Sequence, residues 1–310
     1  MRLLVREIKG LLGQMLFDKY YDPDSKKDIY IVLGYRFAFK SGYQRLQSLM
    51  GKYDRRIDRL TKYAESNLDI RSLKPATGEL RRIQRECLDI LKIINEESIK
   101  NGWKYWLDFG TLLGAVRHGG FIPWDTDIDI SMQREDFEEC GDILRKRFLN
   151  TKYVVRFAGF SNHFQLRVCD SKNIVGVDIF PVDSCQTSMR REELNLLVKQ
   201  ARKKLETKYP KIKGEIEYDI QKIRRNIHDE LKEVLPNEGG GLEYLFYGID
   251  YGHDHKNIVF EKSDILPLRM IQFEGEGFPC PNKCDTVLTK LYGNYMSFPR
   301  DYTIMSRLIK

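Results

Sequence analysis

Residues 125–130 read Asp-Thr-Asp-Ile-Asp-Ile, and this stretch restricts the fold more than any other. In an extended strand, side chains two apart share a face. The pattern therefore predicts a strand that turns Ile128, Ile130 and the preceding Trp124 into a core. Asp125, Asp127 and Asp129 crowd the opposite face, where three like charges need a cation among them. A calcium loop of the EF-hand type is excluded, because its sixth and twelfth positions require Gly and Glu and here hold Ile130 and Asp136. A plain solvated strand edge leaves unexplained the Gly-Thr turn that precedes the acids.

The rest of the chain supplies the elements around that strand. Leu80, Ile83, Cys87, Leu91 and Ile94 recur at helical spacing and predict a long helix after a boundary at Leu73–Gly78. "WKYWLDFG" (103–110) reads as a strand entering a turn, and "GTLLGAVRHGG" as the helix that follows. Two further strands are expected at 153–158 and 163–169, and another over 173–183. A charged helical stretch is expected from about 187 to 235, closing in the loop "PNEGGG". Short strands and turns with a helix near 284–292 complete the chain. The predicted division is a basic N-terminal segment over 1–72 and a catalytic domain over 73–310 with a helical insertion at about 187–240.

Charge separates the two parts. Residues 1–70 carry 14 Lys and Arg against 9 Asp and Glu, so +5 of the net +7 lies there. Leu4, Ile8, Leu11, Leu12 and Met15 fall at helical spacing among Arg2, Arg6 and Lys9. Such a helix packs on its own domain or lies on an anionic membrane surface. "KDIYIVLGYRFAFKSG" (27–42) reads as two short strands, or as an extended basic-aromatic segment, with a break at Gly34. Tyr43, Leu46, Met50, Tyr53, Ile57, Leu60 and Ala64 form a heptad stripe, which fits a homo-oligomeric seam or a docked helix. No apolar run is long enough to span a bilayer. Six scattered cysteines point to reduced thiols and a cytoplasmic setting, with peripheral contact at the inner membrane face through residues 1–70 as the extension of that reading. The Cys280-x-x-x-Cys284 spacing, with no second pair nearby, is expected to be an ordinary loop and no zinc site. A nucleic-acid partner is not expected.

Three pieces of chain then suggest chemistry. Gly110 and Thr111 open a helix whose backbone N–H groups suit a phosphate. Asp127 and Asp129 follow, able to hold one or two divalent cations. Asp178 sits between Val177 and Ile179, an acid in an apolar strand whose burial calls for compensation. Oxygen donors of this kind suit Mg²⁺ or Mn²⁺. Arg117 and His118, two helical turns after Gly110, are candidates for a phosphate contact, as is Arg167 on a neighbouring strand.

"WLDFGTLLGAVRHGGFIPWDTDIDISM" closely resembles the signature of the LicD family of phosphotransferases, relatives of fukutin and fukutin-related protein. "VDIFPVD" (177–183), "DILPLRMIQFEGEGFPCP" (264–281) and "LYGNYMSFP" (291–299) resemble later family blocks in the same order. The resemblance implies an α+β fold of nucleotidyltransferase type, a small mixed sheet flanked by helices, here with an added helical N-terminal segment. It implies a CDP-linked donor, phosphocholine foremost, and a sugar hydroxyl of a glycan or lipid-linked glycan as acceptor, with CMP released. Transfer of ribitol or glycerol phosphate, or nucleotidyl transfer on the same fold, are the alternatives. Surface polymers such as teichoic acid, capsule or lipopolysaccharide are the acceptors that this implies. Carried onto this chain, the metal acids are Asp127, Asp129 and Asp178 with Asp125 as helper, and Asp178 is also the candidate base. The phosphate turn is Gly110 and Thr111.

Overall fold

The computed structural model describes residues 17–22, 27–32 and 35–40, much of 52–67, and then 68–160, 163–172, 174–208, 240–248 and 258–298, with a few positions between 229 and 236. The chain divides into two compact units, one drawn from the first 67 residues and a larger one running from Leu68 to Phe298. In the first, β1 (Phe17–Asp22), β2 (Lys27–Val32) and β3 (Tyr35–Lys40) form an antiparallel meander, with Phe17 opposite Val32 and Lys27 opposite Lys40. The strand pair expected over 27–42 is β2 with β3. β1 is an addition, so this segment is not simply helical. The helix expected over Leu4–Met15 and most of the heptad stripe lie outside the described residues; Leu60, within them, is exposed.

The second unit opens with α1 (Gly78–Asn101). Ile83, Cys87, Ile90, Leu91 and Ile94 line its buried face, at the spacing that made it legible. It stops at Gly102, whose φ of 79° is the left-handed conformation that glycine adopts without strain, and whose N–H donates to Ser98 O at 2.8 Å. β4 (Tyr105–Leu107) leads into α2 (Phe109–His118), and β5 (Ile128–Gln133) into α3 (Arg134–Phe148). β6 (Tyr153–Phe160) and β7 (His163–Asp170) form a hairpin before the twelve-residue β8 (Gly176–Thr187) and α4 (Arg191–Lys208). β9 (Leu242–Tyr247), β10 (Val259–Glu261), α5 (Lys262–Ile265), the hairpin β11 (Arg269–Phe273) with β12 (Glu276–Cys280), and α6 (Cys284–Tyr292) follow.

These strands build a mixed seven-stranded sheet, as the fold class predicted. Its spine is β10-β9-β8-β5-β4, and only β5 and β8 run parallel within it. β8 pairs along one edge with β5. Its other edge is shared, by β7 over Gly176–Ile179 and by β9 over Val182–Thr187. Ile128, Ile130, Val177 and Ile179 are fully buried on one face of the sheet, toward α1 and α3. Burial of each such side chain contributes roughly 1.5–3 kcal/mol. On the other face, the Phe109 ring of α2 lies edge-on to Phe180 at 4.9 Å and stacks on Tyr247 at 4.6 Å.

Two expectations change. The acid-rich strand begins at Ile128 and not at Asp125, because residues 122–125 close a turn in which Asp125 N–H donates to Ile122 O at 2.9 Å. Gln84 of α1 holds that turn by donating to the carbonyls of Ile122 and Asp125, at 3.3 and 3.0 Å. The helical stretch expected from 187 also starts later, because β8 extends to Thr187; α4 covers Arg191–Lys208, a strand returns at Leu242, and most of 209–235 lies outside the described residues.

Candidate functional site

The site forms where β5, β8 and β7 lie side by side. Asp129 on β5 is in register with Asp178 on β8, and Asp178 is in register with Arg167 on β7. The row therefore reads acid, acid, guanidinium across three strands. Residues in register on adjacent strands place their Cβ atoms about 4.5–5.5 Å apart on one face. Asp178 is 5% exposed and ion-paired with Arg167 through Oδ2 and Nη1. The same Nη1 lies 3.9 Å from Asp127 Oδ2. The cation that the sequence demanded among its acids is, in this structure, Arg167. Burial by itself would lower the Arg167 pKa, yet the Asp178 and Asp127 carboxylates hold it above its ordinary value.

α2 brings its N-terminus to the other end of the row. Asp108 caps the helix, its Oδ1 accepting the Phe109 N–H at 2.8 Å. Asp108 is itself buried, with Oδ2 accepting from Ser131 Oγ at 2.6 Å and both carboxylate oxygens accepting from Tyr247 OH at 3.1 and 3.0 Å. The first helical residue, Phe109, has φ of 42°, a strained conformation for a bulky side chain. Packing of its ring between Phe180 and Tyr247 and the satisfied Asp108 hold it there. Gly110 then meets the acids directly: a Cβ at this position would lie 2.7 Å from Asp125 Oδ2 and 3.7 Å from Asp129 Oδ2. Glycine is needed because a carboxylate occupies the space. Thr111 is buried, and its Oγ1 accepts the backbone N–H of Asp129 at 2.8 Å. Its side chain thus pins the acid strand to the helix, a different task from holding a phosphate.

The floor is equally tight. Gly176 lies under the Arg167 guanidinium, so that a Cβ there would come within 2.7–2.9 Å of it. The Gly176 N–H donates to Cys87 Sγ at 3.3 Å. Burial pushes the Cys87 thiol up to about 12, despite the opposing amide, so it stays protonated.

Arg117 and His118 do not join this group. They end α2, about 10 Å along the helix from Gly110. Arg117 Nη1 donates to Tyr295 O at 3.0 Å, its Nε donates to His118 Nε2 at 3.1 Å, and its guanidinium lies 6.0 Å from the Trp124 ring. Burial, reinforced by Arg117, lowers the His118 pKa to about 4, so His118 is a neutral acceptor. Arg117, expected with His118 near a phosphate, is tied here to the later "LYGNY" block. Trp103, Trp106 and Trp124 are all buried core residues. Tyr292 is 42% exposed.

Among the described residues, no three His, Cys, Asp or Glu side chains stand close enough together to hold a metal ion as they are arranged here. Asp127, Asp129 and Asp178 are gathered, but with a guanidinium in their midst. The Asp108–Ser131–Tyr247 network was not anticipated. Its one signal was Asp108 itself, an N-cap residue type directly before the predicted helix.

Comparison with known proteins agrees on this stretch. Residues 102–212 match the family described as LicD/FKTN/FKRP, nucleotidyltransferase domain. The lipopolysaccharide cholinephosphotransferase LicD of Haemophilus influenzae is 44% identical over 64 residues, 21% of this chain and 24% of that protein. The human ribitol 5-phosphate transferase FKRP is 37% identical over 87 residues, 26% of this chain and 17% of that protein. An uncharacterized Rickettsia prowazekii protein, RP689, is 53% identical over 68 residues, 22% of this chain and 25% of its own length. The chain thus spans a quarter or less of the length of these relatives. Signature, sheet and family match coincide, and the domain over residues 102–212 matches the LicD/FKTN/FKRP nucleotidyltransferase family.

Proposed function

We propose that the protein transfers a phosphorylated alcohol from a CDP-linked donor to a hydroxyl of a glycan or lipid-linked glycan, releasing CMP. The observation that carries the reading is the in-register pair Asp129 and Asp178, set beside the N-terminus of α2 with Asp125 against Gly110. The named activities of two relatives, cholinephosphotransferase and ribitol 5-phosphate transferase, support the class of reaction. Phosphocholine is the leading donor group, with ribitol or glycerol phosphate as alternatives.

The residues divide the work. The α2 N-terminus offers backbone N–H groups and the positive end of a helix dipole to the donor phosphates. Asp127, Asp129 and Asp178, supported by Asp125, are an all-oxygen donor set of the kind that suits Mg²⁺ or Mn²⁺. Such an ion would neutralise phosphate charge that builds up as the bond to CMP breaks. Asp178 accepts the proton of the attacking hydroxyl, and Arg167 binds a phosphate oxygen. No described helix is long and apolar enough to cross a membrane. A lipid-linked acceptor would then be met at the membrane surface, through the basic residues of 1–70.

Product analysis with CDP-choline, CDP-ribitol, CDP-glycerol and CTP tests the reading. CMP released only in the presence of a sugar acceptor supports it. Pyrophosphate from CTP, with no CMP from any CDP-alcohol, would replace it with nucleotidyl transfer.

A further inference from the structure

Arg167 has two possible anionic partners in this site, its own acids and the phosphates of a substrate, and it cannot serve both. Its guanidinium is ion-paired with Asp178, reaches toward Asp127 at 3.9 Å, and is seated over Gly176, where no side chain stands in its way. A divalent cation bound by Asp127, Asp129 and Asp178 would share the same carboxylate oxygens. The two positive charges would stand a few ångströms apart, which is strongly unfavourable at a buried site. Binding of either one therefore opposes the other.

We infer that Arg167 is an internal cation that competes with the divalent metal for Asp127 and Asp178, and that an arriving phosphate relieves the competition by drawing the guanidinium away. The inference rests on the function proposed above and adds a rule of order to it. Without a phosphate, Arg167 holds the acids and metal binds weakly. With a phosphate lying between the α2 N-terminus and Arg167, the guanidinium gains a bidentate partner of the geometry it favours. Asp178 is released in the same movement, and becomes available to take the proton of the acceptor hydroxyl. The acids are then exposed to water as a metal site and base only when a donor is present. The thermodynamic signature is positive coupling between metal and phosphate, equal in both directions.

The test measures Mn²⁺ binding by electron paramagnetic resonance on the full chain. CMP serves as the phosphate probe, at concentrations where it holds little Mn²⁺ itself. In the wild-type protein, CMP should tighten Mn²⁺ binding by about fivefold or more, the lower end of ordinary coupling. Arg167→Gln should bind Mn²⁺ at least about fivefold more tightly without CMP, and should lose the CMP effect. Gly176→Ala keeps the charge but crowds the guanidinium from its seat, and should tighten Mn²⁺ binding in the same direction. If Arg167→Gln fails to fold, Gly176→Ala and the wild-type coupling decide the matter. Equal Mn²⁺ affinity with and without CMP in the wild type, equal affinity in wild type and variants, or a CMP effect that survives in Arg167→Gln, would overturn the inference while leaving the metal reading intact. No Mn²⁺ binding by any form, with or without CMP, would refute the metal reading and this inference with it.

Discussion

Substituting Gly110 by Ala separates the site from the fold. The glycine lies in the first turn of α2 with an ordinary negative-φ backbone, so alanine fits the helix, and propensity alone favours it by up to about 1 kcal/mol. The new methyl carbon would stand 2.7 Å from Asp125 Oδ2, whereas ordinary contact needs about 3.4 Å. The carboxylate must therefore retreat by roughly 0.7 Å, the difference between those distances, and it can do so by rotating a side chain without moving backbone. Stability should change little: for a domain of this size, 1 kcal/mol corresponds to about 2–4 °C in Tm, and the propensity gain and the displacement oppose each other. Catalysis is less tolerant, because a 1 Å misplacement of a reacting group can cost about 10²-fold. The expected result is a melting temperature within about 3 °C of wild type and CMP release lowered on the order of 10²-fold. Gly114→Ala is the contrasting control. There the methyl would meet the backbone carbonyl of Gly120 and, at 3.0 Å, the Ile122 nitrogen, neither of which can rotate away. That variant should lose about 1–3 kcal/mol of stability. Wild-type turnover in Gly110→Ala at unchanged Tm would refute the claim that Asp125 must stand where the glycine admits it.

Asp127→Ala or Asp129→Ala should lower turnover by at least about 10²-fold, while thermal stability holds or rises as carboxylate repulsion is relieved; calorimetry alongside CMP release checks both. His118, whose folded pKa is depressed by burial from 6.5 to about 4, stabilises the fold fully above pH 6.5 and loses that contribution as pH falls toward 4. Allowing for its partial exposure, the loss is on the order of 1–2 kcal/mol, and His118→Gln should flatten the denaturation profile across that window. Arg134 Nε donates to Asp183 Oδ1 at 2.7 Å, both side chains being buried. Asp183→Ala should cost about 3–5 kcal/mol in urea unfolding, and pairing it with Arg134→Met should recover much of the loss. The full chain should sediment with anionic liposomes at low salt and be released as salt rises; equal sedimentation by a chain lacking residues 1–70 would assign the contact elsewhere.

Local pattern carried most of what could be read beforehand. α1, α2, the β6–β7 pair and α6 follow from 3.6- and 2-residue periodicities bounded by glycine or turn residues, and each stands within a few residues of its expected place. The acids were legible because Ile128 and Ile130 alternate with them. What failed was the assumption that alternation alone makes a strand. Asp125 belongs to a turn held by Gln84, a residue some forty positions earlier, and no local window contains that bond. β9 went unread because "LEYLFY" is a short apolar run after a glycine loop, and its extension is set by its neighbours β8 and β10. The ion pair of Arg167 with Asp178 is of the same kind: it depends on the register between two strands. A sequence shows each strand's faces but not its neighbours.

The shared edge of β8 has a consequence for how such a protein can diversify. The chain leaves the sheet at Thr187 and re-enters at Leu242, and these two residues are partners in the ladder. Gly241, at φ of 89°, packs so closely on the Thr187 carbonyl that a methyl could not be placed between them. Whatever lies between 187 and 242 therefore departs from and returns to a single fixed point. Lengthening such an excursion twofold costs only about 0.6 kcal/mol in closure entropy. Asp178, nine positions before the exit and clamped on both edges by β5 and β7, does not register the change. Beyond α4, whose Arg202 donates to the Tyr247 and Gly248 carbonyls, the sheet offers a slot in which sequence can be exchanged with the acids left undisturbed.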